Sequence, residues 1–92
     1  MITALVLMSV ERDAVNETAQ QLLAIPGVAE VYSVTGDWDL VTVLRLPQYE
    51  DLATVVTERM VALKGIRRTQ TMMAFKAYSR EDLEQAWDLG VQ

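Results

Sequence analysis

Two stretches of this chain, LLAIPGVAEVYSV at 22–34 and MVALKGIRRTQTM at 60–72, align on each other without a gap. Each reads as a helix end, a glycine and then a strand, so the chain is written as two halves with the same order of elements. Two copies are too few for a solenoid, which needs roughly three or more stacked neighbours. They suit two βαβ halves that share one sheet.

The rest of the chain fills in those halves. Residues 2–10, ITALVLMSV, are apolar at odd and even positions alike, which predicts a first strand covered on both faces of its sheet. From Asp13 the period changes: Ala14, Val15, Thr18, Ala19, Leu22 and Leu23 form one face of a helix, which Pro26-Gly27 stops. Residues 28–35 and 39–46 predict a second and a third strand, and the short polar connection between them makes an antiparallel hairpin. Pro47 ends the third strand. A second helix is predicted over 48–63, burying Leu52, Val55, Val56, Met60 and Leu63, with Lys64-Gly65 closing it; its charged residues Glu50, Asp51, Glu58 and Arg59 read as a solvated face. Residues 66–76 predict strand four, with Thr69, Thr71, Met73 and Phe75 on one side. The tail predicts a short third helix from Ser79 to Gly90, capped by Ser79 with Asp82 three residues later. Its apolar stripe of Leu83, Ala86 and Trp87 is wide enough only to dock on a sheet edge or a neighbouring subunit.

The expected fold is therefore α+β: a ferredoxin-like βαββαβ sandwich, a four-stranded antiparallel sheet with two helices on one face, plus the C-terminal helix. Residues 1–78 form the domain and 79–92 a helical extension. At 92 residues the chain has material for one core, yet 51% of it is apolar, more than a small monomer hides. Part of that surplus is expected to face another subunit.

Composition removes most chemistry. There is no His and no Cys, so a Ser-His-Asp triad, a thiolate nucleophile and His-based metal sites are excluded. The four scattered glycines build neither a Walker loop nor a dinucleotide fingerprint, and no cofactor is expected. Thirteen acidic against eight basic residues give a net charge of −5, the wrong sign for a phosphate-neutralising face. The first ten residues lack a positive flank and a cleavage site and are too short to span a membrane, so a cytoplasmic location is expected.

What remains is the hairpin connection. In VTGDWDLVTVL, residues 34–44, Asp37 and Asp39 flank Trp38 directly after Gly36. An Asp beside Gly in a turn satisfies backbone N–H groups; the same carboxylates suit a ligand carrying an ammonium group. Two aspartates are too few for a metal site, and none is expected. Thr69 and Thr71 are good strand formers on one face of strand four, and their hydroxyls also offer donors and acceptors to a polar ligand. Met72-Met73 reads as core filling or as a pocket wall. A large ring such as Trp38 in a turn needs a cover, which a partner subunit would supply.

The run from Ile25 to Lys76, IPGVAEVYSVTGDWDLVTVLRLPQYEDLATVVTERMVALKGIRRTQTMMAFK, resembles the effector-binding (RAM) domain of the Lrp/AsnC transcription regulators. The carriers are PGV before a strand, then VTGDWD, then a strand with TQT after KGI, in that order and spacing; residues 2–24 suit the same domain's first strand and helix. The resemblance implies a module that pairs through its sheets, assembles into higher rings, and binds amino acids in clefts between dimers. It implies that Gly36, Asp37 and Asp39 border the ligand's polar end, that Thr69 and Thr71 hydrogen-bond it, and that Met72 and Met73 lie near its side chain. Trp38 stands where the family often has a smaller aromatic, which alters pocket size. Lys64 replaces a proline common in the second PGV, a loop change away from the site. The family's helix-turn-helix domain has no counterpart in these residues.

The expected function is a non-catalytic amino-acid-binding module, a homo-oligomer that co-assembles with full-length regulators of its family and makes no direct contact with nucleic acid or membrane. The alternative is a small dimeric cofactor-free oxygenase of the same fold, with Tyr32, Tyr78 and Trp87 lining an apolar cavity.

Overall fold

The computed structural model describes residues 1–80. Four strands, β1 (Ile2–Val10), β2 (Val28–Ser33), β3 (Leu40–Leu46) and β4 (Ile66–Met73), form one sheet in the order β2-β3-β1-β4. Every neighbouring pair is antiparallel. Helix α1 (Val15–Leu23) follows a short 3-10 turn at Arg12–Ala14, and α2 (Tyr49–Thr54) runs on into a π turn, Val55–Met60. This is the ferredoxin-like arrangement, with the two central strands each beginning or ending a half of the chain.

Strand pleating sorts the side chains into two faces. Ala4, Val6, Met8 and Val10 of β1 join Leu40, Leu44 and Leu46 of β3 and are buried against Leu22, Ile25, Leu52, Val55 and Met60 from the helical layer. The other face carries Leu5 and Leu7, opposite Val43 and Val41, with Tyr32 and Glu30 on one side and Met72 and Gln70 on the other. No helix covers it. Leu5, Leu7 and Val41 are half-buried only by their sheet neighbours, so the all-apolar pattern of β1 has a satisfied face and an open one.

The second helix departs from the regular helix expected over 48–63. Leu52, Val55 and Met60 are buried, and Val56 and Leu63 pack against the same core, but the backbone widens to a π turn over Val55–Met60. Thr57 Oγ1 donates to the carbonyl of Ala53 along this stretch. Gln48 opens α2, its backbone N–H donating to Asp51 Oδ2 at 3.2 Å, so Asp51 caps the helix and is not simply a member of a solvated face. Strands two and four stop earlier than expected, at Ser33 and Met73. Leu23, expected in the buried stripe, is exposed: it is the last residue of α1, one position round from the buried Leu22.

Gly27 shows why PGV ends the first helix. Its φ is +97°, and a Cβ there would lie 2.3 Å from Leu46 Cδ2, so only glycine lets the chain turn tightly across β3. The expected third helix, with Leu83, Ala86 and Trp87, lies outside the described residues beyond Ser79 and Arg80. No helix among the described residues is long and apolar enough to cross a membrane.

Candidate functional site

The β2–β3 connection is fixed by one residue. Asp39 donates its backbone N–H to the carbonyl of Met8 at 2.8 Å and accepts from Val34 N–H at 3.0 Å. Its side chain reaches further: Oδ2 accepts from the backbone N–H of Val10 at 2.8 Å. That N–H lies just past the last β1–β3 pair, Met8 with Leu40, on the same edge of β1 from which the Met8 carbonyl accepts from Asp39 N–H, so the ladder offers it no strand partner. Asp39 supplies the missing acceptor and ties the turn to the central strand.

Gly36 has φ +104°, and nothing lies within 4 Å of a Cβ built on it. The left-handed backbone, not crowding, calls for glycine here. Asp37 follows, exposed, and no described residue pairs with its carboxylate. Trp38 is half-buried. The partner-subunit cover expected for its ring has an intrachain counterpart, since the Arg68 guanidinium carbon lies over the ring at 4.5 Å from its centroid. Arg68 comes from β4, opposite Ser9 of β1, so the stack spans the end of the central strand. Sequence reasoning did not single out Arg68; the signal was a cation on strand four at the end facing the turn, visible only once the strand order was known.

The remaining residues divide between the faces of β4. Thr71 lies opposite Val6, Thr69 opposite Met8 and Met73 opposite Ala4, which places these three on the helix-covered side; Met72 lies opposite Leu5 on the open side. Thr69, Thr71, Met72 and Met73 are all exposed, because the core reaches β4 only at Ile66. Thr69 borders a cavity of about 220 Å³ with Val56, Met60, Val61 and Ile66. One chain thus gathers Gly36, Asp37, Trp38, Asp39 and Arg68 at one end of the sheet, and displays Thr69 and Thr71 on the opposite face. A larger cavity of about 510 Å³ between the start of α1 and residues 62–65 contains none of these residues. Its polar side chains other than Thr18 are exposed, the character of a solvated groove.

At the far edge of the open face Tyr32 and Glu30 are hydrogen-bonded through the phenol and Oε2, and Arg45 Nη1 contacts Glu30 Oε1 at 3.2 Å. The Tyr32 hydroxyl, then Arg45, holds the Glu30 carboxyl below its usual range, and Glu30 in return holds the Tyr32 phenol above its own. Tyr32 is engaged on one edge strand while Tyr78, exposed, follows the other, so the two do not line a common apolar cavity within the chain; Trp87 lies outside the described residues.

Sheet order and helix placement define an α+β ferredoxin-like domain with an exposed, glycine-hinged acidic turn. Residues 3–83 match the Lrp/AsnC ligand binding domain, and the chain belongs to that family. It is 46% identical to TTHA0845 of Thermus thermophilus, whose crystal structure superposes with a TM-score of 0.82 over 87% of this chain and 100% of that one. An uncharacterized HTH-type transcriptional regulator of Pyrococcus furiosus is 35% identical over 82 residues, 86% of this chain and 55% of that protein; the chain spans about half the length of the curated relatives it matches. A transcriptional regulator of Neisseria meningitidis, solved as an L-Met complex, shares the fold with a TM-score of 0.77 at 17% identity, over 86% of this chain and 53% of that one.

Proposed function

We propose that this chain is a non-catalytic, amino-acid-binding regulatory module that pairs with copies of itself and with full-length regulators of its family in the cytoplasm. The observation that carries this reading is the match of residues 3–83 to a ligand binding domain found in transcription regulators. The residues agree with it. With neither His nor Cys in the sequence, the chain lacks the usual nucleophile and near-neutral proton carrier. In the proposed site Gly36 and Asp37 meet the ligand's polar end, Asp39 and Trp38 fix the turn, and Thr69, Thr71, Met72 and Met73 contribute from β4. Because β4 shows the threonines on the face away from the turn, a complete cleft takes the turn from one copy and the threonines from another. Ligand binding and assembly are then one equilibrium: a bound amino acid favours the state in which both halves are present. Co-assembly with a full-length regulator would change operator affinity through the number of DNA-binding heads held together.

The test is a thermal-shift and calorimetric screen of the twenty amino acids, with L-methionine as the first probe, on the native sequence and D37A. A ligand at a hundred times its Kd raises stability by about 2.7 kcal/mol, so at least one amino acid should raise the melting temperature by several degrees and D37A should abolish the rise. Twenty flat profiles would refute the reading.

A further inference from the structure

We infer that Arg68 is the residue that recognises the ligand's carboxylate, its guanidinium held over Trp38 beside the Asp37 turn, so that acid and base of a zwitterion are read by Asp37 and Arg68 together. The assignment rests on the amino-acid reading above and adds the second pole to its site.

Three arginines project from the strands, and they are treated differently. Arg45 contacts Glu30 at 3.2 Å and Arg67 contacts Glu11 at 3.8 Å, whereas Arg68 has an aromatic ring, at 4.5 Å, and no carboxylate among the described residues. The ring attracts the cation and shields one side of it from water, yet it gives the guanidinium N–H groups no oxygen. A fork of donors therefore remains for a planar anion, the geometry for which arginine is suited over lysine. Held between β4 and the turn, the side chain has already lost part of its rotamer freedom, which reduces the entropy cost of binding.

Charge favours such a residue. At a net charge of −5 the chain repels an incoming carboxylate, and the turn's own Asp37 and Asp39 repel it most at close range. Asp39 already accepts from Val10 N–H, leaving Asp37 as the carboxylate open to an ammonium group. Arg68 is the cation that the fold sets against this turn, on the ring of the residue next to Asp37. An acid and a base that are both unpaired among the described residues, flanking one tryptophan, are complementary to a zwitterion and to neither a simple cation nor a simple anion.

Calorimetry with matched acids and amides isolates the carboxylate. L-methionine and L-methioninamide, L-leucine and L-leucinamide, and L-lysine and L-lysinamide are titrated into the native chain, R68Q, R68M and D37N at about pH 6.5, where their α-ammonium groups are charged. The native chain should favour acid over amide by roughly tenfold or more, the worth of a charge-assisted contact. R68Q and R68M should bring the ratio to about one, with R68M keeping an apolar contact on Trp38; D37N should weaken acid and amide alike and keep the ratio. A native chain that binds an acid and its amide equally, or Arg68 variants that keep the native ratio, overturns the assignment while leaving the amino-acid reading intact. A native chain that binds none of these acids or amides and gives twenty flat profiles in the amino-acid screen overturns both.

Discussion

Asp39 does two jobs that pull a mutational experiment in different directions. Its carboxylate satisfies a backbone donor on the central strand, while that of Asp37, one residue beyond Trp38, engages no described group. Removing the first orphans the Val10 N–H, a loss on the order of 1–3 kcal/mol; removing the second costs the fold almost nothing. In urea or thermal melts D39A should therefore be destabilised by about that amount, with D37A within about 0.5 kcal/mol of the native chain. Equal stability of the two variants would show that the turn does not depend on this bond. The same contrast explains what a sequence can disclose at this scale. GDWD announces a turn with spare acidity, and both the capping and the ligand readings of its aspartates are chemically sound. Which aspartate does which job depends on where the β1–β3 ladder ends, at Met8 and Leu40, which no local pattern encodes. Arg68 escaped notice for a related reason: a cation in TQT's strand has no meaning until strand order places it against Trp38.

Elements were the most legible scale, because period and punctuation act locally. The glycine-terminated helices, the hairpin and the two-half layout follow from residues a few positions apart, and so do the buried Leu22, Leu52, Val55 and Met60. The π turn was hidden since Leu52, Val55, Val56, Met60 and Leu63 keep regular α-helical spacing. The division of β4 between faces was also hidden, for exposure there depends on how far the helical layer extends over the sheet. Between elements, the Tyr32–Glu30–Arg45 cluster links β2 to β3 through charge, and its pH response has a definite sign. The Glu30 pKa is depressed from 4.5, so its contribution is present above that value and is lost as pH falls through the lowered one. That of Tyr32 is raised from 10.0, so its contribution is present below 10.0 and is lost as pH rises through the raised one. Plotted against pH, the melting temperatures of the native chain and E30Q should differ by a small constant amount between those limits and converge outside them. Because all three side chains are exposed to solvent, the difference should also shrink in high salt. A pH-independent gap would assign the effect to packing.

At the scale of the molecule, an apolar strand sequence meets a sheet that the described helices cover on one side only. Leu5, Leu7, Val41 and Met72 lie on the open face, bordered by Glu30, Tyr32 and Arg45 at one edge and by Arg68 at the other. A second copy presents the same pattern, and two such faces packed together would remove from water the apolar surface that a monomer leaves wet. The centre of that surface is Leu7, on a central strand and flanked by Val41 and Gln70. A carboxylate there projects away from the helical core, which is left intact, but in a paired state it would be buried without a partner at a cost of several kcal/mol. L7D is therefore expected to sediment as a folded monomer at concentrations where the native chain is a dimer or larger, with its cooperative melt retained. If assembly and ligand binding are coupled as proposed, L7D should also lose the amino-acid-induced rise in melting temperature despite an unaltered Asp37, because no second copy would be present to complete the cleft. A native chain that sediments as a monomer at tens of micromolar, or an L7D variant that assembles like the native chain, would place the surplus apolar surface outside any self-pairing role.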